Sequence, residues 1–139
     1  MNFLGPRICW LLLLALATIA LTCTSTSETR IARSVKVSPT SATAPASGAY
    51  QFRATGYFSA PPSPVSLLTA TWGACSLDGS ATSAVTVSST GLARCASGAR
   101  GTYRVWAFVQ NTDRATCNLI TACGGGCGRV TGTAQFTCP

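Results

Sequence analysis

The stretch VKVSPTSATAPASGAYQFRATGYF, from Val35 to Phe58, constrains this chain more than any other. Two runs with apolar residues at every second position are separated by Ser38-Pro39, where proline donates no ladder hydrogen bond and must stop a strand. A short strand, a proline break and a second alternating run are how a small β-sandwich begins. In the second run Tyr50, Phe52 and Ala54 are expected on the core face, with Gln51, Arg53 and Thr55 facing water.

The rest of the chain repeats that grammar. A Pro-rich loop, SAPPSPV from Ser59 to Val65, leads to a third alternation at Leu68, Ala70 and Trp72, with Trp72 as a core plug. Val85 and Val87 precede a Ser88–Gly91 turn and a return through Leu92, which reads as a hairpin whose glycine takes positive φ. GTYRVWAFV (Gly101–Val109) is the strongest strand, and Val130–Cys138 is the last. No segment has helical period. Strands spaced about 8 to 12 residues apart between Gly, Pro and Ser turns indicate an all-β sandwich or barrel.

The 139 residues provide for one domain. The first 23, MNFLGPRICWLLLLALATIALTC, place Arg7 before an apolar run from Ile8 to Leu21, the layout of an export signal. That run is shorter than the roughly 20 residues a spanning helix needs, and polar TSTSETR follows it. Cys23 is therefore either an ordinary residue near the signal cut or the lipid-bearing first residue of a lipoprotein. Leu21 and Thr22 suit the lipoprotein pattern poorly, which favours a plain secretory cut. Residues 24–34, polar and aperiodic, read as a tether, and residues 35–139 as the folded domain.

Of eight cysteines, Cys75, Cys95, Cys117, Cys123, Cys127 and Cys138 lie downstream of the signal. An even set in an exported small domain reads as a disulfide framework of three bridges. Cys75 with Cys95 is the expected pair outside the C-terminal cluster. The rival is a metal site in C-x5-C-x3-C-x10-C, from Cys117 to Cys138, but zinc favours C-x2-C knuckles and the chain has no histidine. No metal and no cofactor is expected.

Five segments in order resemble the group 2 bacterial immunoglobulin-like domain, the type found in intimin and invasin-like adhesins. They are V-x-V-S-P-T-S-A at Val35–Ala42, G-x-Y-Q-F-x-A-T-G-x-F at Gly48–Phe58, A-T-W at Ala70–Trp72, V-T-V-S-S-T-G-L-A at Val85–Ala93, and G-T-Y-x-V-x-A at Gly101–Ala107. The resemblance spans Val35 to about Phe136. It implies an immunoglobulin-like β-sandwich with Greek-key type connections, here stapled by disulfides. It also implies a non-catalytic role at the cell surface, adhesive or as a spacer, with an unidentified protein or glycan as partner. The cysteines and the long Asn111–Arg129 insertion depart from the family pattern and suggest a disulfide-reinforced branch.

The residues themselves argue against catalysis. There is no histidine, and the carboxylates are only Glu28, Asp78 and Asp113, the last two in turn-like segments where Asp bonds nearby backbone. The net charge of +7 comes from nine Arg and one Lys scattered without a basic run, so nucleic acid is not an expected partner. A membrane is expected only if Cys23 carries lipid. A small cationic effector acting on membranes or acidic polymers is the alternative class.

Alternation in GTYRVWAFV places Tyr103, Val105 and Ala107 inward and Arg104, Trp106 and Phe108 together on the opposite face. Arg beside aromatic residues is a candidate binding surface for a protein or a sugar. The competing expectation, preferred here, is that the cysteine-rich insertion folds back over Trp106 and Phe108. The disulfide-closed insertion is itself a second recognition candidate.

Overall fold

A computed structural model describes residues 30–67, 69–110, 121, 123–126 and 128–139. Ten strands follow in order: β1 (Ala32–Ser38), β2 (Ser41–Thr43), β3 (Ala49–Gln51), β4 (Arg53–Phe58), β5 (Val65–Ser66), β6 (Thr71–Ser76), β7 (Val85–Val87), β8 (Leu92–Cys95), β9 (Gly101–Gln110) and β10 (Arg129–Cys138). No helix occurs among the described residues.

The strands form two layers. In one, the ladders β1-β4-β5 and β3-β8-β7 join through the β3–β4 run, interrupted only at Phe52, whose N–H bonds the Gly91 carbonyl at 2.9 Å. The other is β2-β10-β9-β6. The chain changes layer at Ser38-Pro39. β1 pairs with β4 up to Ser38↔Arg53, and three residues later Ser41 lies parallel to Gln135 of β10 in the other sheet. Proline interrupts the first ladder, so the chain is released to the second.

Apolar side chains of both layers meet between them: Val35, Val37, Phe52, Ala54, Val85 and Ala93 from one, Val105, Ala107, Ala134, Phe136 and Cys138 from the other. Phe52 and Phe136 are fully buried and meet edge to face at 5.8 Å. Each contributes about 1.5–3 kcal/mol through apolar burial. At Gly132 the layers approach closely, because a side chain there would run into the Val35 carbonyl of β1.

The expected faces of Phe52, Ala54, Gln51 and Arg53 hold, as does the Ser88–Gly91 hairpin turn, with Gly91 at φ +85°. Trp72 is half-buried against the core rather than enclosed by it. Leu68 lies outside the described residues. The folded region begins earlier than the expected Val35: Ala32 is buried and pairs with Phe58. A register shift between Ala32 and Ser34 places buried Ala32 and Val35 three residues apart, which breaks the alternation a strand is recognised by.

Candidate functional site

Antiparallel registry sorts the outer face of the second layer into rows. Thr71, Phe108 and Thr131 share one row, Gly73, Trp106 and Thr133 the next, and Cys75, Arg104 and Gln135 the third. Arg104, Trp106 and Phe108 are thus brought onto one face, as expected. Trp106 and Phe108 stack at 5.7 Å with planes 20° apart.

That face is covered. Cys75 bonds to Cys123, with Cα atoms 5.3 Å apart, and the segment that follows crosses Trp106. A Cβ on Gly124 would stand 2.5 Å from the indole Cε3, so only glycine permits the approach. The Gly124 carbonyl accepts a 3.1 Å bond from the Thr131 hydroxyl, while the Arg104 guanidinium donates to the Leu77 carbonyl at 3.3 Å. Phe108 is buried, and the Arg129 guanidinium lies 4.1 Å from its ring centre. Arg104, Trp106 and Phe108 therefore support a cover rather than an open surface.

The cysteine pairing differs from the expectation. Cys75 bonds Cys123, and Cys95 bonds Cys138 across the two layers, Cα atoms 5.9 Å apart; Cys75 does not pair with Cys95. Orientation is the reason. Cys75 shares the outer face of its sheet with Arg104, whereas Cys138 follows Ala134 and Phe136 on the inner face, within reach of Cys95 at the end of β8. Two bridges are therefore formed among the described residues, neither in the expected pairing; Cys117 and Cys127 lie outside those residues, as do Cys23, the export signal and Asp113.

Where the covered face ends, a groove of about 840 Å³ opens between the layers. Arg30 and Phe58 stand on one wall, Phe108, Gln110 and Arg129 on the other, with Ser66, Thr69 and Thr71 along it. The Arg30 guanidinium stacks 3.9 Å from the Phe58 ring centre and donates to the Pro62 carbonyl. Nη1 of Arg129 is buried with no hydrogen-bond partner among the described residues. Sequence reasoning passed over Arg30 and Arg129 because they stand 99 positions apart, near opposite ends of the folded region. Only the antiparallel registry places Ala32 beside Phe58 and Arg129 beside Gln110 at the same end of the sandwich.

Asp78 is the only described carboxylate side chain, and it stabilises its own turn, accepting bonds from the Ser80 N–H at 2.9 Å and the Ser80 hydroxyl at 2.7 Å. Those bonds, the backbone one first, hold its pKa below the ordinary 3.8. Among the described residues no three His, Cys, Asp or Glu side chains gather as a metal site. Set against protein-family models and curated proteins, the chain matches none.

Proposed function

We propose that this chain is an exported immunoglobulin-like module that binds a partner at a cell surface and catalyses no reaction. The observation that carries the reading is the strand arrangement. The layers β1-β4/β3-β8-β7 and β6-β9-β10 follow the ABED and CFG order of an immunoglobulin domain, with β2 added beside β10. Two details agree with it. Tyr103, near the start of β9 and two residues before fully buried Val105, donates its hydroxyl to the Arg100 carbonyl at 3.0 Å, in the manner of a tyrosine corner. Trp72 packs against the core from β6, the strand that carries the core tryptophan in such domains. The bridge between the B and F strands of antibody domains is absent here: its neighbourhood holds Phe52 and Val105, and the disulfides stand elsewhere.

Export is supported by the leader and by two bridges, which persist in oxidising compartments. The testing experiment expresses the whole chain with its leader, takes the intact mass of the exported product before and after reduction, and titrates that product onto intact cells. Cleavage near Cys23 with saturable binding is expected. Retention in the cytosol with free thiols, or binding that never saturates, refutes the reading.

A second reading, a cationic effector, draws on one fact: eight Lys and Arg side chains face a single carboxylate side chain among the described residues. Leakage from anionic vesicles that disappears when salt is raised moderately supports it. Saturable cell binding that persists supports the module.

A further inference from the structure

We propose that the groove between Arg30 and Arg129 is a binding site for a linear saccharide bearing carboxylate groups. The inference rests on the binding-module reading and names its ligand class. Contact with the ring faces of Phe58 and Phe108 places two guanidinium groups at the two walls of one groove. A guanidinium has five N–H donors, and Arg30 gives one to the Pro62 carbonyl, which leaves others on both cations for contact with a carboxylate. Nη1 of Arg129 lacks a hydrogen bond among the described residues, so the charge of that guanidinium stands uncompensated beside the groove.

No carboxylate side chain among the described residues competes, because Asp78, the one present, is engaged by Ser80 in its own turn. Between the cations stand the neutral side chains of Ser66, Thr69, Thr71 and Gln110, whose hydroxyl and amide groups pair with sugar hydroxyls. An acidic peptide fits less well. Peptides dock on such folds by adding a strand to a free sheet edge. Here β5 is two residues long and the outer edge of β6 is engaged at Cys75 by Ala81, while β1 keeps a seven-residue edge, so the test includes a peptide competitor.

The test is isothermal titration of the full exported chain with tetragalacturonate, its methyl ester and a tetraglutamate peptide at fixed moderate salt. Tetragalacturonate is expected to bind and the other two to fail. Arg129→Gln and Arg30→Gln are each expected to weaken binding about tenfold, the loss of one charge-assisted contact. Lys36→Gln, an equal charge change on the outward face of β1 and outside the groove, is expected to leave it unchanged. Urea unfolding of each variant verifies the fold, and Arg30, outside the strands, keeps the test open should Arg129→Gln misfold.

Equal weakening by Lys36→Gln, equal binding of the ester or the peptide, or unchanged affinity in both arginine variants overturns the site. So does a chain that binds cells but not tetragalacturonate, an outcome that leaves the module reading intact. Binding of tetragalacturonate without any binding to cells supports the groove and refutes the surface role.

Discussion

Removing the bridge between the layers should nearly exhaust the stability of this protein. Cys95 and Cys138 are separated by 43 positions, and constraining a loop of that size in the unfolded chain stabilises the fold by about 4 kcal/mol. Cys138 is almost wholly buried, so changing both cysteines to alanine also empties space in the core, adding about 1 kcal/mol. The sum of about 5 kcal/mol reaches the lower end of the usual stability of a domain. For the roughly 97 described residues the unfolding entropy is about 200 cal/mol/K, so the melting temperature should fall by about 25 °C. Urea and thermal unfolding of the exported protein, followed by far-UV circular dichroism, measure both quantities. The second bridge, Cys75–Cys123, spans 48 positions and is worth the same about 4 kcal/mol by loop closure. The two loops interleave along the chain, so removing both bridges should cost less than the sum of the separate losses. A loss below about 1 kcal/mol for Cys95→Ala/Cys138→Ala refutes the loop-closure argument. Loss from that pair alone, with Cys75→Ala/Cys123→Ala neutral, assigns the effect to packing between the layers.

Three further outcomes follow from individual contacts. Tyr103→Phe deletes the bond to the Arg100 carbonyl and should destabilise the fold by about 0.5–1.5 kcal/mol in urea unfolding, with tetragalacturonate affinity unchanged. Gly73→Ala drives a methyl group into the Trp106 indole and should cost about 1–3 kcal/mol while shifting tryptophan fluorescence to the red as the cover loosens; an unchanged spectrum counts against the packing described. Asp78 has a folded pKa below 3.8, so the stability its charge contributes is present above 3.8 and lost as pH falls through the lower folded value. The gap in urea midpoint between the natural chain and Asp78→Ala should therefore be constant above about pH 5 and close at lower pH.

What the sequence reveals here divides along a physical line. Faces of strands are legible because side chains alternate with period 2, so Phe52, Ala54, Val105 and Ala107 could be assigned inward without coordinates. Where a bulge breaks the period, as between Ala32 and Ser34, the first residues of β1 read as tether while Val35 and Val37 still read as strand. Cysteine partners are not carried by spacing at all. They follow from which face each residue occupies, and Cys75 and Cys95 lie on faces that do not meet. The arginine groove was illegible for a related reason: two cations 99 positions apart become neighbours only through the registry of β1 with β4 and of β10 with β9.

The cover and the groove are consequences of the same strand. Its rows put Trp106 and Phe108 on the outer face of β9, an apolar surface that the described Cys123–Gly126 stretch shields once Cys123 is tied to Cys75. Shielding removes that face from recognition, yet it also delivers the chain into β10 at Arg129, whose N–H bonds the Gly126 carbonyl and whose guanidinium rests on Phe108. The aromatic stack thus ends in a cation at the mouth of the groove. A guanidinium held against a ring loses less freedom when it takes a carboxylate than one free in solvent, so in the proposed site the disulfide contributes through preorganisation rather than contact. The Cys75–Cys123 bridge thus closes the broad face of β9 and leaves the proposed site at the end of the sandwich.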